Sequence, residues 1–86
     1  MPKSDLRTIP GIGAAMEKDL QELGYSTVSS LKGQDPEEMY RRRCVQQGCV
    51  LDRCVLYVYR CAVYFAQTPQ PEPEKLKWWY WKNHRL

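Results

Sequence analysis

Pro10, Gly11, Ile12, Gly13 and Ala14 form the stretch of this chain best suited to chemistry, and the chemistry is phosphate binding. Two glycines around one apolar residue permit a tight reversal, because glycine adopts backbone angles and allows close approaches that a side chain forbids. Beyond Gly13 the apolar spacing becomes helical. The first N–H groups of a helix lack intrahelical partners. Together with the positive end of the helix dipole they make an anion site. Such a site touches no base edge, so nucleic acid held there is held without regard to sequence. Lys18 is the only base in the helix that follows, with Asp19 and Glu22 close by.

A second turn, Gln47-Gly48-Cys49-Val50, keeps a single glycine and is flanked by Arg41, Arg42, Arg43 and Arg53. These arginines make it the stronger anion candidate of the two. The competing reading is a solvated helix end, where cations favour the dipole. Further on, Arg53, Tyr57, Arg60 and Tyr64 recur at i, i+4, i+7 and i+11. That stripe can stack bases, or be covered by the cluster Trp78-Trp79-Tyr80-Trp81 with arginine over indole. Cover is the preferred reading, since so apolar a cluster is a liability when exposed. With Lys75, Lys77 and Lys82 nearby, a membrane-interface or base-stacking role is the alternative for the tryptophans.

Other chemistries have less support. The spacing Cys44-x4-Cys49-x4-Cys54-x6-Cys61 contains no Cys-x-x-Cys pair. Cys54 and Cys61 lie seven apart on one helix face and suit small buried thiols. With Cys44 they are the candidates for a metal or redox cluster, which ranks third among the readings, and no cofactor is expected. The single histidine, His84, stands near the end of the sequence, and no Cys–His pair can be argued from it. Asp35, Glu37 and Glu38 read as capping groups. Neither enzymatic activity nor a small-molecule substrate is expected.

The elements that position these groups are helical throughout. A short first helix is expected over Asp5 to Thr8, capped by Ser4. A second runs from about Gly13 to Leu23, with Ile12, Met16, Leu20 and Leu23 as its apolar stripe and Gly24 at C′. A third covers Thr27 to Lys32. The fourth begins at Asp35, with Pro36 at N1 and Glu38 at N3 as in a capping box, and stops at Gly48. The fifth spans roughly Leu51 to Gln67. On it, Leu51, Cys54, Val55, Val58, Cys61, Ala62 and Phe65 share one broad face, while Leu56, Tyr59 and Val63 fall on a second. Pro69-Gln70-Pro71-Glu72-Pro73 is a stiff connector to a short aromatic helix that packs on helix five.

Leu6-Arg7-Thr8-Ile9-Pro10-Gly11-Ile12-Gly13 between two helices resembles the helix-hairpin-helix superfamily of DNA repair, recombination and replication proteins. Where that superfamily packs its helices through alanine, this chain carries Glu17, a carboxylate that must snorkel, find a partner or push the helices apart. Leu31-Lys32-Gly33-Gln34-Asp35-Pro36-Glu37-Glu38, the run Asp52 to Tyr64, and Leu76-Lys77-Trp78-Trp79 look like a small bacterial family labelled pathogenicity locus or mitomycin-resistance-like. The resemblance implies a compact helix-hairpin-helix protein with DNA binding and no established enzymatic activity. It also implies a five-helix unit of the SAM-like kind, with two hairpins of which the second is degenerate. Residues 1–68 would form that domain, and residues 69–86 the connector and docked tail.

Composition agrees with a folded, all-α chain. Of its 86 residues 43% are hydrophobic, which excludes disorder, and no apolar run is long enough to cross a membrane. The N-terminus lacks a signal peptide's apolar stretch, so a cytoplasmic protein is expected. The net charge is +3, yet residues 1–40 hold four basic and seven acidic side chains, and residues 41–86 nine basic and three acidic. Sequence-independent DNA binding is the leading expectation. A protein-interaction module or homodimer of the same fold is the alternative.

Overall fold

The computed structural model describes residues 5–85. Among them lie three α-helices, α1 (Ala14–Glu22), α2 (Pro36–Gln47) and α3 (Arg53–Gln67), and short 3-10 turns at Asp5–Thr8 before α1, Ser29–Leu31 between α1 and α2, and Pro73–Leu76 and Trp78–Lys82 after α3. Among the described residues there is no strand. The five-helix tandem arrangement is therefore overturned by the helix count. Ser4, the expected cap of the first helix, lies outside the described residues.

The missing helices have local causes. Asp5–Thr8 is a single turn cut off by Pro10, too short for α-helical nucleation. Between Thr27 and Ser30 the hydroxyls bond to one another and to the local backbone, which competes with helix formation. The Asp5 carboxylate then accepts the Val28 N–H at 3.0 Å and pins the turn Ser29–Leu31 to the start of the chain. In the tail, Lys77 is extended (ψ 121°), so the aromatic segment folds as two 3-10 turns instead of one α-helix.

Where α-helices do form, their ends are signposted. The Asp35 carboxylate accepts the Glu37 N–H at 3.0 Å, Pro36 occupies the first turn, and Gly48 ends α2 in the left-handed region at φ 70°. The expected capping-box bond from Glu38 is not made; Glu38 pairs with Arg41 one turn on. Asp52 caps α3 by accepting the Cys54 N–H at 2.8 Å, so that helix starts at Arg53, not Leu51.

Helix α3 is central, packed by α2 on one side and by the tail on another. Its most buried positions are Leu56, Tyr59, Arg60, Cys61, Ala62, Val63, Tyr64 and Ala66. Val55, Val58 and Phe65 are only half-buried and Cys54 is exposed, so the face that the sequence pattern favoured is the lesser one. Two apolar clusters result. One unites Leu6, Ile9, Ile12, Leu20, Leu23, Leu31 and Met39 with Tyr59, Ala62 and Val63. The other sets Trp81 against Cys61 and Tyr64, with Tyr57, Leu76, Trp78 and Tyr80 around it.

Candidate nucleic-acid interface

The N-terminal hairpin is closed by Ile12 N–H donating to the Ile9 carbonyl at 3.1 Å. Pro10 and Gly11 are the central residues of this turn. Gly11 has φ 86°, the arrangement of a type II turn, and that angle is why a glycine stands there. Ile12 is buried and wedges the turn against the core. Gly13 is the N-cap of α1 and has no side chain to offer, while the first backbone bond of the helix runs from Glu17 N–H to the Gly13 carbonyl at 2.9 Å. Gly13, Ala14 and Ala15 are all exposed. Helices α2 and α3, by contrast, have their first turns capped by aspartates.

Glu17 finds a partner. Arg7 Nε lies 3.1 Å from its carboxylate, tying the two arms of the hairpin together. Lys18, one turn into α1, is exposed.

The arginine run on α2 does not act as one patch. Arg43 is buried, and its guanidinium donates to Asp19 Oδ1 at 2.7 Å, to Glu22 and to Gln46 Oε1. That hydrogen bond from Arg43 holds the Glu22 carboxyl below its ordinary range. Arg42 donates to the Leu23 carbonyl at 2.7 Å and to Tyr25 Oη, closing the C-terminal end of α1. Arg41 stays at the surface, paired with Glu38 at 2.7 Å. It lines a cleft of about 370 Å³ with Arg53, Tyr40, Cys44, Val50 and Leu56. Of the four arginines flanking Gly48, then, Arg41 and Arg53 line one cleft, and the other two turn to α1.

Arg60 is the functional group that sequence reasoning placed least well. It is buried, donates twice to Glu37 Oε1 (2.6 and 3.0 Å) and reaches the Trp81 carbonyl at 2.7 Å and the His84 carbonyl at 3.3 Å. Its cation–π partner is Tyr57, not an indole. The available signal was a charge interrupting the apolar run Val55–Phe65: a buried guanidinium demands carboxylate and carbonyl partners.

The cysteines do not converge. Cys61 is buried, its thiol pushed up to about 11 by burial, and it donates to the Leu76 carbonyl at 3.4 Å. Cys44 is half-buried beside the loop that precedes α3, where it accepts from Leu51 N–H, and Cys54 is exposed. Among the described residues no group of three His, Cys, Asp or Glu side chains is placed to hold a metal. None of the described helices is long and apolar enough to cross a membrane.

The charge ledger of the surface is one-sided. Every Asp and Glu is engaged: Asp5, Asp35 and Asp52 accept backbone N–H bonds, and the others lie in ion pairs. Among the described residues Lys18, Lys32, Arg42, Arg53, Lys82 and Arg85 have no carboxylate partner.

The protein family described as "Pathogenicity locus" matches residues 3–86. The chain belongs to that family. The chain is also similar to the mitomycin resistance protein McrB of Streptomyces lavendulae: 29% of residues are identical over 82, covering 95% of this chain and 74% of that protein. No solved structure matches the chain.

Proposed function

We propose that this member of the pathogenicity locus family is a sequence-independent DNA-binding protein whose first 3-10 turn and α1 act as a helix-hairpin-helix element. The observation that carries the reading is the amino end of α1. It is exposed and lacks a side-chain cap, while the ends of α2 and α3 are capped by their own aspartates. A phosphate at Gly13, Ala14 and Ala15 would accept hydrogen bonds from N–H groups that have no partner among the described residues, with Lys18 one turn away. Unpaired cations without unpaired carboxylates support the same reading, because phosphate contacts need charge and not base edges. The reading involves no reaction, no cofactor and no small-molecule substrate, and with it we propose a cytoplasmic location.

Titration of a labelled duplex by fluorescence anisotropy tests it. With about three phosphates engaged, log K falls against log salt with a slope of roughly −3. Lys18→Ala, and Arg41→Ala with Arg53→Ala, each weaken binding uniformly across sequences. Absence of salt-sensitive binding in the wild type overturns the proposal. A protein-interaction role is the second reading, favoured by Val45 and Val50, which are 77% and 87% exposed beside Arg41. A dimer in solution with no DNA affinity would select it.

A further inference from the structure

Trp79 is the one tail aromatic left outside the molecule, 57% exposed, while Trp81 is buried and Trp78 and Tyr80 are half-buried. The 3-10 geometry explains the division, because side chains three apart eclipse one another. Trp78 and Trp81 therefore share the inward ridge of Trp78–Lys82, and Trp79 and Lys82 share the outward one. Lys82 has no carboxylate partner. The exposed indole is also held in place: Trp78 meets it edge-on, with ring centroids 5.7 Å apart and planes at 88°. Trp78 in turn lies against the hairpin, its Cδ1 3.8 Å from where a side chain on Gly11 would begin.

A fixed aromatic face beside an unpaired cation is matched by a polyanion that presents flat rings. We infer that Trp79 and Lys82 form a stacking platform for an unpaired base and its phosphate, so that the preferred partner is single-stranded or locally unpaired nucleic acid. The inference rests on the nucleic-acid reading above and narrows it. Bases inside a duplex show only their edges, whereas an unpaired base offers its face, and one stacked base is worth about tenfold or more in affinity. Because Trp78 already packs edge-on against the indole, stacking on it orders less than it would on a free side chain.

The test compares a short fluorescein-labelled oligothymidylate with a blunt duplex of similar length at low salt. Single strand is expected to bind the wild-type protein roughly tenfold more tightly than duplex. Trp79→Ala removes that preference, Trp79→Phe keeps most of it, and Lys82→Ala lowers the salt slope by about one. Far-UV circular dichroism of each variant confirms that the helices persist. Undiminished single-strand binding by Trp79→Ala overturns the inference. So does equal binding of both forms by the wild type, an outcome that leaves DNA binding itself intact. If the wild type binds neither form, both proposals fall. Loss of binding to phosphatidylserine vesicles in Trp79→Ala, with oligonucleotide binding unchanged, would reassign the platform to a membrane surface and overturn the inference.

Discussion

The hairpin and the tail both end against the neighbourhood of α3, but they are attached by different forces. The hairpin contributes Leu6, Ile9 and Ile12 to one apolar cluster with Tyr59, Ala62 and Val63. Apolar burial is non-directional and spreads its free energy over many contacts. The tail adds aromatic packing, with Trp81 and Tyr64 centroids 5.3 Å apart, yet its backbone is fixed by single directed bonds. Arg60 holds two tail carbonyls, the Trp81 indole donates to the Lys75 carbonyl at 2.9 Å, and Tyr64 Oη accepts Glu72 N–H at 2.9 Å. Bonds of that kind fail individually, and each failure strands a buried partner. One region is a core; the other is a fastening.

That contrast can be broken most directly at Arg60. Arg60→Ala leaves Glu37 and both carbonyls without their donor, at a cost of about 3–5 kcal/mol. All three tryptophans lie in the tail, so their fluorescence reports its docking, while far-UV circular dichroism reports the helices. In urea the fluorescence transition of the variant is expected to precede the dichroism transition. Coincident transitions would mean that tail and core are a single cooperative unit.

Leu20→Ala attacks the other region. Leu20 is fully buried in the hairpin-side cluster, and its truncation costs about 2–5 kcal/mol. Here both signals should move together, because the tail has no seat once α3 loosens; a shift in dichroism alone would refute this. Asp35→Ala is a smaller intervention, about 1 kcal/mol for the lost cap. It frays the turn that carries Glu37 and so is expected to reach the tail through Arg60, seen as a red shift in tryptophan emission.

The smallest effect is an acid titration. The Glu22 carboxyl is held below its ordinary range by Arg43, so its stabilisation is present above the unfolded-state value and is lost as pH falls through the folded one. Glu22→Gln should flatten the acid limb of the stability curve on the hairpin side. An unchanged limb would show that Arg43 is served by Asp19 alone.

Sequence made the helix borders largely legible and the long-range charges hardly at all. The order Asp35-Pro36 ahead of an apolar-periodic stretch predicts the start of α2 to the residue, and Gly24 and Gly48 mark where α1 and α2 stop. These are effects within one turn of chain. Arg41, Arg42 and Arg43 look equivalent in sequence, yet one is a surface ion pair, one closes α1 and one is buried between two carboxylates. The fates of Arg42 and Arg43 depend on residues 17 to 24 positions away, which periodicity does not encode. For the same reason the split into an acidic and a basic half does not translate into two surface fields. Arg43 with Asp19 and Glu22, and Arg60 with Glu37, join the halves across the core. The helix count went wrong where segments were short: hydroxyl bonding at Thr27–Ser30 and the extended Lys77 convert would-be helices into single turns.

The turn Trp78–Lys82 counts its residues in threes, and this makes it intolerant of a change in length. One residue added between Trp78 and Trp81 would rotate the indoles out of step, sending a ring now buried on α3 to the outside and drawing Lys82 away from Trp79. The connector ahead of it carries no such phase. Pro69 and Pro71 within it can be multiplied or removed at little cost while Glu72 keeps its bond to Tyr64, so natural relatives and engineered versions should differ in length before Glu72 and hardly at all after Lys77.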